Sequence, residues 1–210
     1  MRPARLGFIT ATGTEVGKTW VGAALLRAAV ADGLTVAARK PAQSFDPQSC
    51  EPLDSAVLAA AAGSEEAEVC PAHRWYPTPL APPMAAAELG LPPVAIADLI
   101  AELRWPPQAD LGIVEGAGGL RSPLAADGDN LDFARALQPD AVILVADAGL
   151  GTINQIRLNA SALVGRPVIV FLNRFDSGDR LHVLNRDWLV ERDRLVVATT
   201  IDRLLSFVAA

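Results

Sequence analysis

The sequence predicts an α/β fold, a three-layer sandwich with a mostly parallel central sheet and helices on both faces. Three observations lead there. The chain repeats strand, loop and helix from one end to the other. Strands that alternate with helices pair in parallel and are covered on both faces. The residues that carry chemistry fall just after the apolar strands, where ligands of such sheets collect.

Leu6 to Thr10 is a short apolar run and reads as a buried first strand. The Ala- and Leu-rich segment from Lys18 to about Ala31 reads as a helix, stopped by Gly33. Val36 to Arg39 is a second strand, and Leu53 to Ala62 a helix with Asp54 near its start. Residues 71 to 93, rich in Pro and Ala, read as a long ordered loop with one helical turn. Val94 to Leu103 reads as a helix, Leu111 to Glu115 as a strand and Asn130 to Leu137 as a short helix. Ala141 to Ala146 is the most apolar strand, followed by a helix over Asn154 to Leu163 and a strand over Val168 to Leu172. A weak helix around Asp187 to Val190, a strand over Leu195 to Ala198 and a helix over Asp202 to Val208 complete the pattern. With 210 residues and no internal repeat or low-complexity linker, one domain over 1–210 is expected.

The net charge is −6 and no basic block occurs, which argues against a nucleic-acid surface. No apolar run is long enough to span a bilayer, and no signal-peptide pattern opens the chain. Cys50 and Cys70 are too few for a disulfide framework, so a cytoplasmic location is expected. Cys70-Pro-Ala-His73 does not supply enough ligands for zinc.

Among many arginines the chain has two lysines, Lys18 and Lys40. Lysine is a compact point charge on a slim stem, whereas arginine is a wide planar fork. Lys18 ends Thr12-Gly13-Thr14-Glu15-Val16-Gly17-Lys18-Thr19, between the first strand and the first helix. A strand, a Gly-containing loop and a helix opening with Gly-Lys-Thr form a P-loop, whose backbone N–H groups and helix dipole hold phosphate oxygens. In that arrangement Lys18 reaches the β- and γ-phosphates and the Thr19 hydroxyl ligates Mg²⁺. The strict pattern has Gly where Thr12 stands, so the loop is a variant. Lys40 follows the second strand and precedes Pro41.

Magnesium takes oxygen ligands and often only one or two carboxylates beside phosphates and water. Glu115 closes the strand Leu111 to Val114 and is followed by Gly116-Ala117-Gly118-Gly119. Asp54 is a second candidate, although an Asp at a helix start is also a routine cap. Asp147, after Val142 to Ala146, competes with Glu115 as a strand-end acid, and spacing alone does not rank the two.

Together these pieces resemble the dethiobiotin synthetases, P-loop ATP-dependent cyclo-ligases of biotin synthesis. The likeness rests on Thr14 to Thr19, Lys40-Pro41 with Ser44 shortly after, Asp54 before an Ala/Leu helix, Val114 to Gly119, and Gly151-Thr152-Ile153-Asn154. It covers about residues 6 to 175. It implies an ATP- and Mg²⁺-dependent reaction that joins CO₂ to the two amines of 7,8-diaminopelargonic acid through a carbamate and a carbamic-phosphoric anhydride. It implies Lys40 beside the carbamate and Lys18 on the phosphates. It implies a nucleotide site of Glu15, Val16, Gly17, Lys18, Thr19, Trp20, Glu115, Gly116, Ala117, Gly118 and Asn173. Thr19, Asp54 and Glu115 resemble the Mg²⁺ group, which ranks Glu115 above Asp147. Thr14, Lys40 and Ser44 resemble substrate contacts. The family is dimeric, so a homodimer is expected, with Thr152, Ile153 and Asn154 opening a helix that offers N–H groups to the substrate carboxylate across the interface.

The chain departs from the family at three places. Ala11 stands where Gly is usual, Phe45 follows Ser44 where Gly is common, and no Pro-Trp-Leu-like segment is found near Thr200 to Leu204. Asn173 in Phe171-Leu172-Asn173-Arg174-Phe175-Asp176 resembles an adenine contact, yet the stretch also resembles the Asn-Lys-x-Asp base-reading motif of GTP-binding proteins. Asp176 alternatively serves the turn Asp176-Ser177-Gly178. Two other functions remain open: a ligase or amidoligase of the same scaffold with a different acceptor, and a nucleotide-dependent switch ATPase. Lys40 counts against the switch, which has no use for a second lysine beside the γ-phosphate.

Overall fold

The computed structural model describes residues 2–210. In chain order the elements are β1 (Arg5–Ala11), α1 (Lys18–Ala31), β2 (Val36–Arg39), β3 (Gln43–Ser44), α2 (Asp54–Ala62), α3 (Glu66–Val69), β4 (Trp75–Tyr76) and α4 (Pro82–Glu88). There follow α5 (Ile96–Glu102), β5 (Leu111–Glu115), β6 (Pro123–Ala125), β7 (Gly128–Asp129), α6 (Asn130–Leu137) and β8 (Ala141–Asp147). The chain continues with α7 (Thr152–Ala162), β9 (Val168–Asn173), α8 (Arg180–Glu191), β10 (Val197–Ala198) and α9 (Ile201–Val208).

Six strands form one sheet in the order β10-β9-β8-β1-β5-β2, and every neighbouring pair is parallel. The strand pleat sorts β1 between two apolar layers. Ile9 and Ala11 pack with Val21, Leu25 and Leu26 of α1 and with Leu204 and Val208 of α9. Leu6 and Phe8 face the other way, toward Leu99 of α5 and Leu131 and Phe133 of α6. The Phe8 and Phe133 rings meet with centroids 5.8 Å apart. Leu144, Val170, Ile156 and Leu189 fill a third cluster under α7 and α8. Each long strand is thus covered on both sides, as its uninterrupted apolar run requires.

Parallel strands all end on one edge. Here that edge gathers the segments after β1, β2, β5, β8 and β9, which places the P-loop, Lys40, Glu115, Asp147 and Asn173 together.

The structure corrects the reading of 71–93. That stretch holds a 3₁₀ turn at Ala72–Arg74, β4 and the two-turn helix α4, rather than a loop with one turn. Pro82 and Pro83 stand at the first positions of α4, where the missing N–H costs nothing. The weak helix around Asp187 is the 12-residue α8, and α7 starts at Thr152 rather than Asn154. β3 and β4, two residues each, pair with one another and were not foreseen.

Candidate active site

The loop from Thr12 to Gly17 is held from outside by its neighbours. Thr12 N–H donates to Val145 O at 2.9 Å, Asn173 Nδ2 to Val16 O at 2.9 Å, and Arg174 Nη2 to Glu15 O at 3.2 Å. Gly17 is left-handed, with φ 91°, and a Cβ there would fall 2.2 Å from Asn173 Nδ2. Backbone and space therefore both demand glycine. Glu15 is also left-handed, with φ 61° and an exposed side chain. Thr12 is absent from the positive-φ positions, so the variant loop accommodates a side chain where the strict pattern has glycine. No side chain caps the start of α1, which leaves its first N–H groups for an anion.

Lys18 is buried and, among the described residues, forms no ion pair. Burial pushes its ammonium below the ordinary lysine range, with Glu115 opposing and Lys40 adding to the shift. Lys40 is enclosed at 2% exposure, with Nζ 2.7 Å from Glu115 Oε1 and 2.7 Å from Asp54 Oδ2. Burial alone would lower it too, but the Glu115 and Asp54 carboxylates overcome that and hold it above its ordinary value. Asp54 resists the upward push of burial because Lys40, Thr19 and Lys18 pull its carboxyl down.

Thr19 Oγ1 lies 2.8 Å from Asp54 Oδ1 and 2.9 Å from Glu115 Oε1. A hydroxyl has one proton and cannot donate to both. Glu115 Oε2 is buried and has no hydrogen-bond partner. Three converging oxygens with one proton, beside an orphaned carboxylate oxygen, fit a hard divalent cation better than a closed hydrogen-bond network. Asp54 caps nothing: its carboxylate is spent on Thr19 and Lys40, and the cap position of α2 is Leu53. Its placement is fixed next door, where buried Gln43 and Ser55 exchange two hydrogen bonds, 2.6 and 3.1 Å.

The segment after β5 depends on a residue that sequence reasoning missed. Asn130 is fully buried; the two protons of its Nδ2 are shared among the carbonyls of Ala117, Gly119 and Ser122, at 2.6, 2.9 and 3.1 Å, while Oδ1 accepts from Ala117 N–H. Gly116 is the contact point, since a Cβ there would lie 2.2 Å from Asn130 Oδ1. An Asn opening a helix reads as a cap. Here Asp129 caps α6 through Leu131 N–H and Asp132 N–H, which frees Asn130 to reach back.

A cavity of about 920 Å³ opens over this cluster. Thr14, Gly17, Lys18, Thr19, Lys40, Ser44, Asp54, Ala117 and Gly118 line it, with Phe45, Leu80 and Met84 as its apolar wall. Glu15 and Trp20 line it too, and Trp20 also borders a second crevice of about 430 Å³ with Gly17, Phe171, Asn173, Phe175 and Thr199. Ser44 Oγ donates to Leu80 O at 2.5 Å. Thr152, Ile153 and Asn154 open α7 but do not line this cavity; Thr152 is buried and donates to Asp147 O. Asp147 is committed elsewhere, accepting from Gly149 N–H at 2.9 Å and pairing with Arg174 at 3.1 Å. Asp176 accepts from Gly178 N–H at 2.8 Å, the turn alternative.

A family profile described as an AAA domain matches residues 6–202. The ATP-dependent dethiobiotin synthetase BioD of Caulobacter vibrioides is 44% identical over 153 residues, 71% of this chain and 69% of that protein. This chain belongs to the dethiobiotin synthetase family. The synthetase of Streptomyces avermitilis is 45% identical over 166 residues, covering 76% of this chain and 66% of its own length. The matched stretch thus spans about two thirds of these synthetases. A plasmid partition protein from Borrelia burgdorferi superposes with a TM-score of 0.58 at 12% identity, covering 99% of this chain and 97% of that one, which shows a shared fold alone. No helix among the described residues is long and apolar enough to cross a membrane.

Proposed function

We propose that this chain is an ATP-dependent dethiobiotin synthetase, which inserts CO₂ between the two amines of 7,8-diaminopelargonic acid. The observation that carries the reading is the second lysine. Lys40 comes from a different strand than the P-loop, yet shares the carboxylates of Asp54 and Glu115 with Thr19. Phosphate binding needs only Lys18 and the loop. A further fixed cation is wanted where a second anion must approach the γ-phosphate.

The first amine and CO₂ give a carbamate and release a proton. A carbamate oxygen attacks the γ-phosphorus and ADP leaves. The second amine then attacks the carbamoyl carbon and loses a proton, phosphate departs, and the ureido ring closes. Both reactants of the phosphoryl step are anionic, so positioning and charge neutralisation do most of the work. Lys18 and the N–H groups of residues 15 to 19 hold the phosphates. Lys40, kept above its ordinary pKa, acts on the carbamate as a permanent cation rather than as a base. Thr19, Asp54 and Glu115 would hold Mg²⁺, which would offset the negative charge that develops during phosphoryl transfer. Thr14 and Ser44 face the substrate from the cavity wall. In this reading the second crevice takes the base, and Asn173 lines it.

A homodimer completes the site, with N–H groups at the start of α7 taking the substrate carboxylate of the partner. Leu150, just before that helix, is 90% exposed and Leu158, in its middle, 66% exposed, which suits an interface. Both cysteines are free, which suits the cytoplasm. Nucleic acid and membrane are not partners in this reading.

Phosphate release with Mg²⁺-ATP and bicarbonate, with and without the diamine, tests the proposal when dethiobiotin is followed by mass. Substrate-dependent release with product is expected. Nucleotide binding without product would favour a ligase acting on another acceptor, and Phe45 in the cavity wall is the residue that would reshape its choice.

A further inference from the structure

We propose that Arg174 is a positioning residue that clamps the phosphate loop from outside, with Asp147 as its anchor. Consecutive residues at the end of β9 grip consecutive carbonyls of the loop: Asn173 Nδ2 holds Val16 O at 2.9 Å and Arg174 Nη2 holds Glu15 O at 3.2 Å. Across a trans peptide, the carbonyl of one residue and the N–H of the next point in opposite directions. Drawing the Glu15 and Val16 carbonyls toward β9 turns the N–H groups of Val16 and Gly17 the other way, into the anion site. The guanidinium does this as a fork. Its Nη1 pairs with Asp147 Oδ2 at 3.1 Å while Nη2 takes the loop carbonyl.

The backbone agrees. Glu15, whose carbonyl is gripped, and Arg174, which grips it, are both left-handed, with φ 61° and 55°. Neither is the Gly or Asn that tolerates this region best. Such conformations persist where the surroundings over-determine them. The anchor is itself fixed, since Asp147 Oδ1 accepts from Gly149 N–H, and Asn185 donates to the carbonyls of Ala148 and Gly149.

The inference rests on the loop being the nucleotide site, though not on the identity of the acceptor. Titration of the full chain with Mg²⁺-ATP measures it directly. Arg174→Asn keeps a residue suited to the left-handed backbone and removes the fork. It should weaken ATP binding roughly two- to fivefold, the range of exposed charged contacts, with KM for the diamine within about 1.5-fold. Arg174→Lys, one ammonium that cannot span both acceptors, should recover part of the loss. Asp147→Asn should weaken binding less than Arg174→Asn, and the double variant should be no worse than Arg174→Asn alone. Unchanged ATP affinity in Arg174→Asn, additive losses in the double variant, or equal loss of ATP and diamine binding would overturn the clamp. Wild-type protein that binds ATP but forms no dethiobiotin would defeat the dethiobiotin synthetase reading and leave this one standing.

Discussion

Lys40 and Glu115 form an ion pair 2.7 Å long, enclosed at 2% and 0% exposure. Removing one partner of such a pair strands the other charge, which typically costs about 3–5 kcal/mol.

Lys40→Met should therefore abolish dethiobiotin formation while leaving the Kd for ATP within about tenfold of wild type. It should also lower Tm in the absence of metal, by roughly 2–4 °C for each kcal/mol lost. Mg²⁺ should restore part of that Tm by replacing the missing charge between Asp54 and Glu115. Calorimetric titration and thermal melts with and without Mg²⁺ check these outcomes; loss of ATP affinity equal to the loss of turnover would remove Lys40 from the acceptor side.

Lys18→Ala should weaken Mg²⁺-ATP binding about ten- to hundredfold, the worth of a charge-assisted contact of roughly 1.5–3 kcal/mol. An unchanged Kd would take Lys18 off the phosphates.

Thr19→Val removes the hydroxyl that faces both carboxylates. The Mg²⁺ concentration for half-maximal phosphate release should rise about tenfold, as expected when a ligand contact worth roughly 1.4 kcal/mol is lost. A Mg²⁺ titration at saturating ATP that overlays wild type would argue against a metal at this place.

The pH dependence separates the two lysines. Lys40 is raised by its carboxylate partners, so its contribution to stability is full below the ordinary lysine pKa and is lost only as pH climbs through the folded value above it. Asp54 is lowered, so its contribution is full above the ordinary carboxylate range and fades as pH falls through that range and the lower folded value. Lys18 is lowered by burial and sheds its proton before either alkaline limit of Lys40 is reached. On the alkaline side, ATP affinity should therefore decline at a pH where Tm still holds. Coincident decline of both would contradict the assignment.

Asn130→Ala leaves buried carbonyls of the 117–122 segment without their donor. A loss of about 2–3 kcal/mol, or roughly 5–10 °C in Tm, should follow. Gly116→Ala should behave alike, because the new methyl would lie 2.2 Å from Asn130 Oδ1. Melting at the wild-type temperature for both would show that the segment does not depend on this amide.

The long strands and α1 are legible because an unbroken apolar run, a Gly-Lys-Thr start and Gly33 beyond the end are local signals. The pairing of Gln43-Ser44 with Trp75-Tyr76 is not, since two residues carry no periodicity. Asp54 could not be told from a cap by its neighbours; only the distant Thr19 and Lys40 settle where its carboxylate goes. Asn130 hid behind the same ambiguity in reverse. For Asn173 the sequence suggested a base contact; that one of its amide N–H groups also holds Val16 O is a bond that no spacing within residues 171–176 reveals.

Lys18 and Lys40 balance Asp54 and Glu115, so the heart of the pocket carries no net charge, in a chain whose total is −6. Such a protein offers a polyanionic nucleotide no long-range pull. Like charge opposes the encounter at long range, so association should quicken modestly as salt screens the repulsion. Discrimination then resides in how long the nucleotide stays once the loop, the lysines and the acids have closed around it.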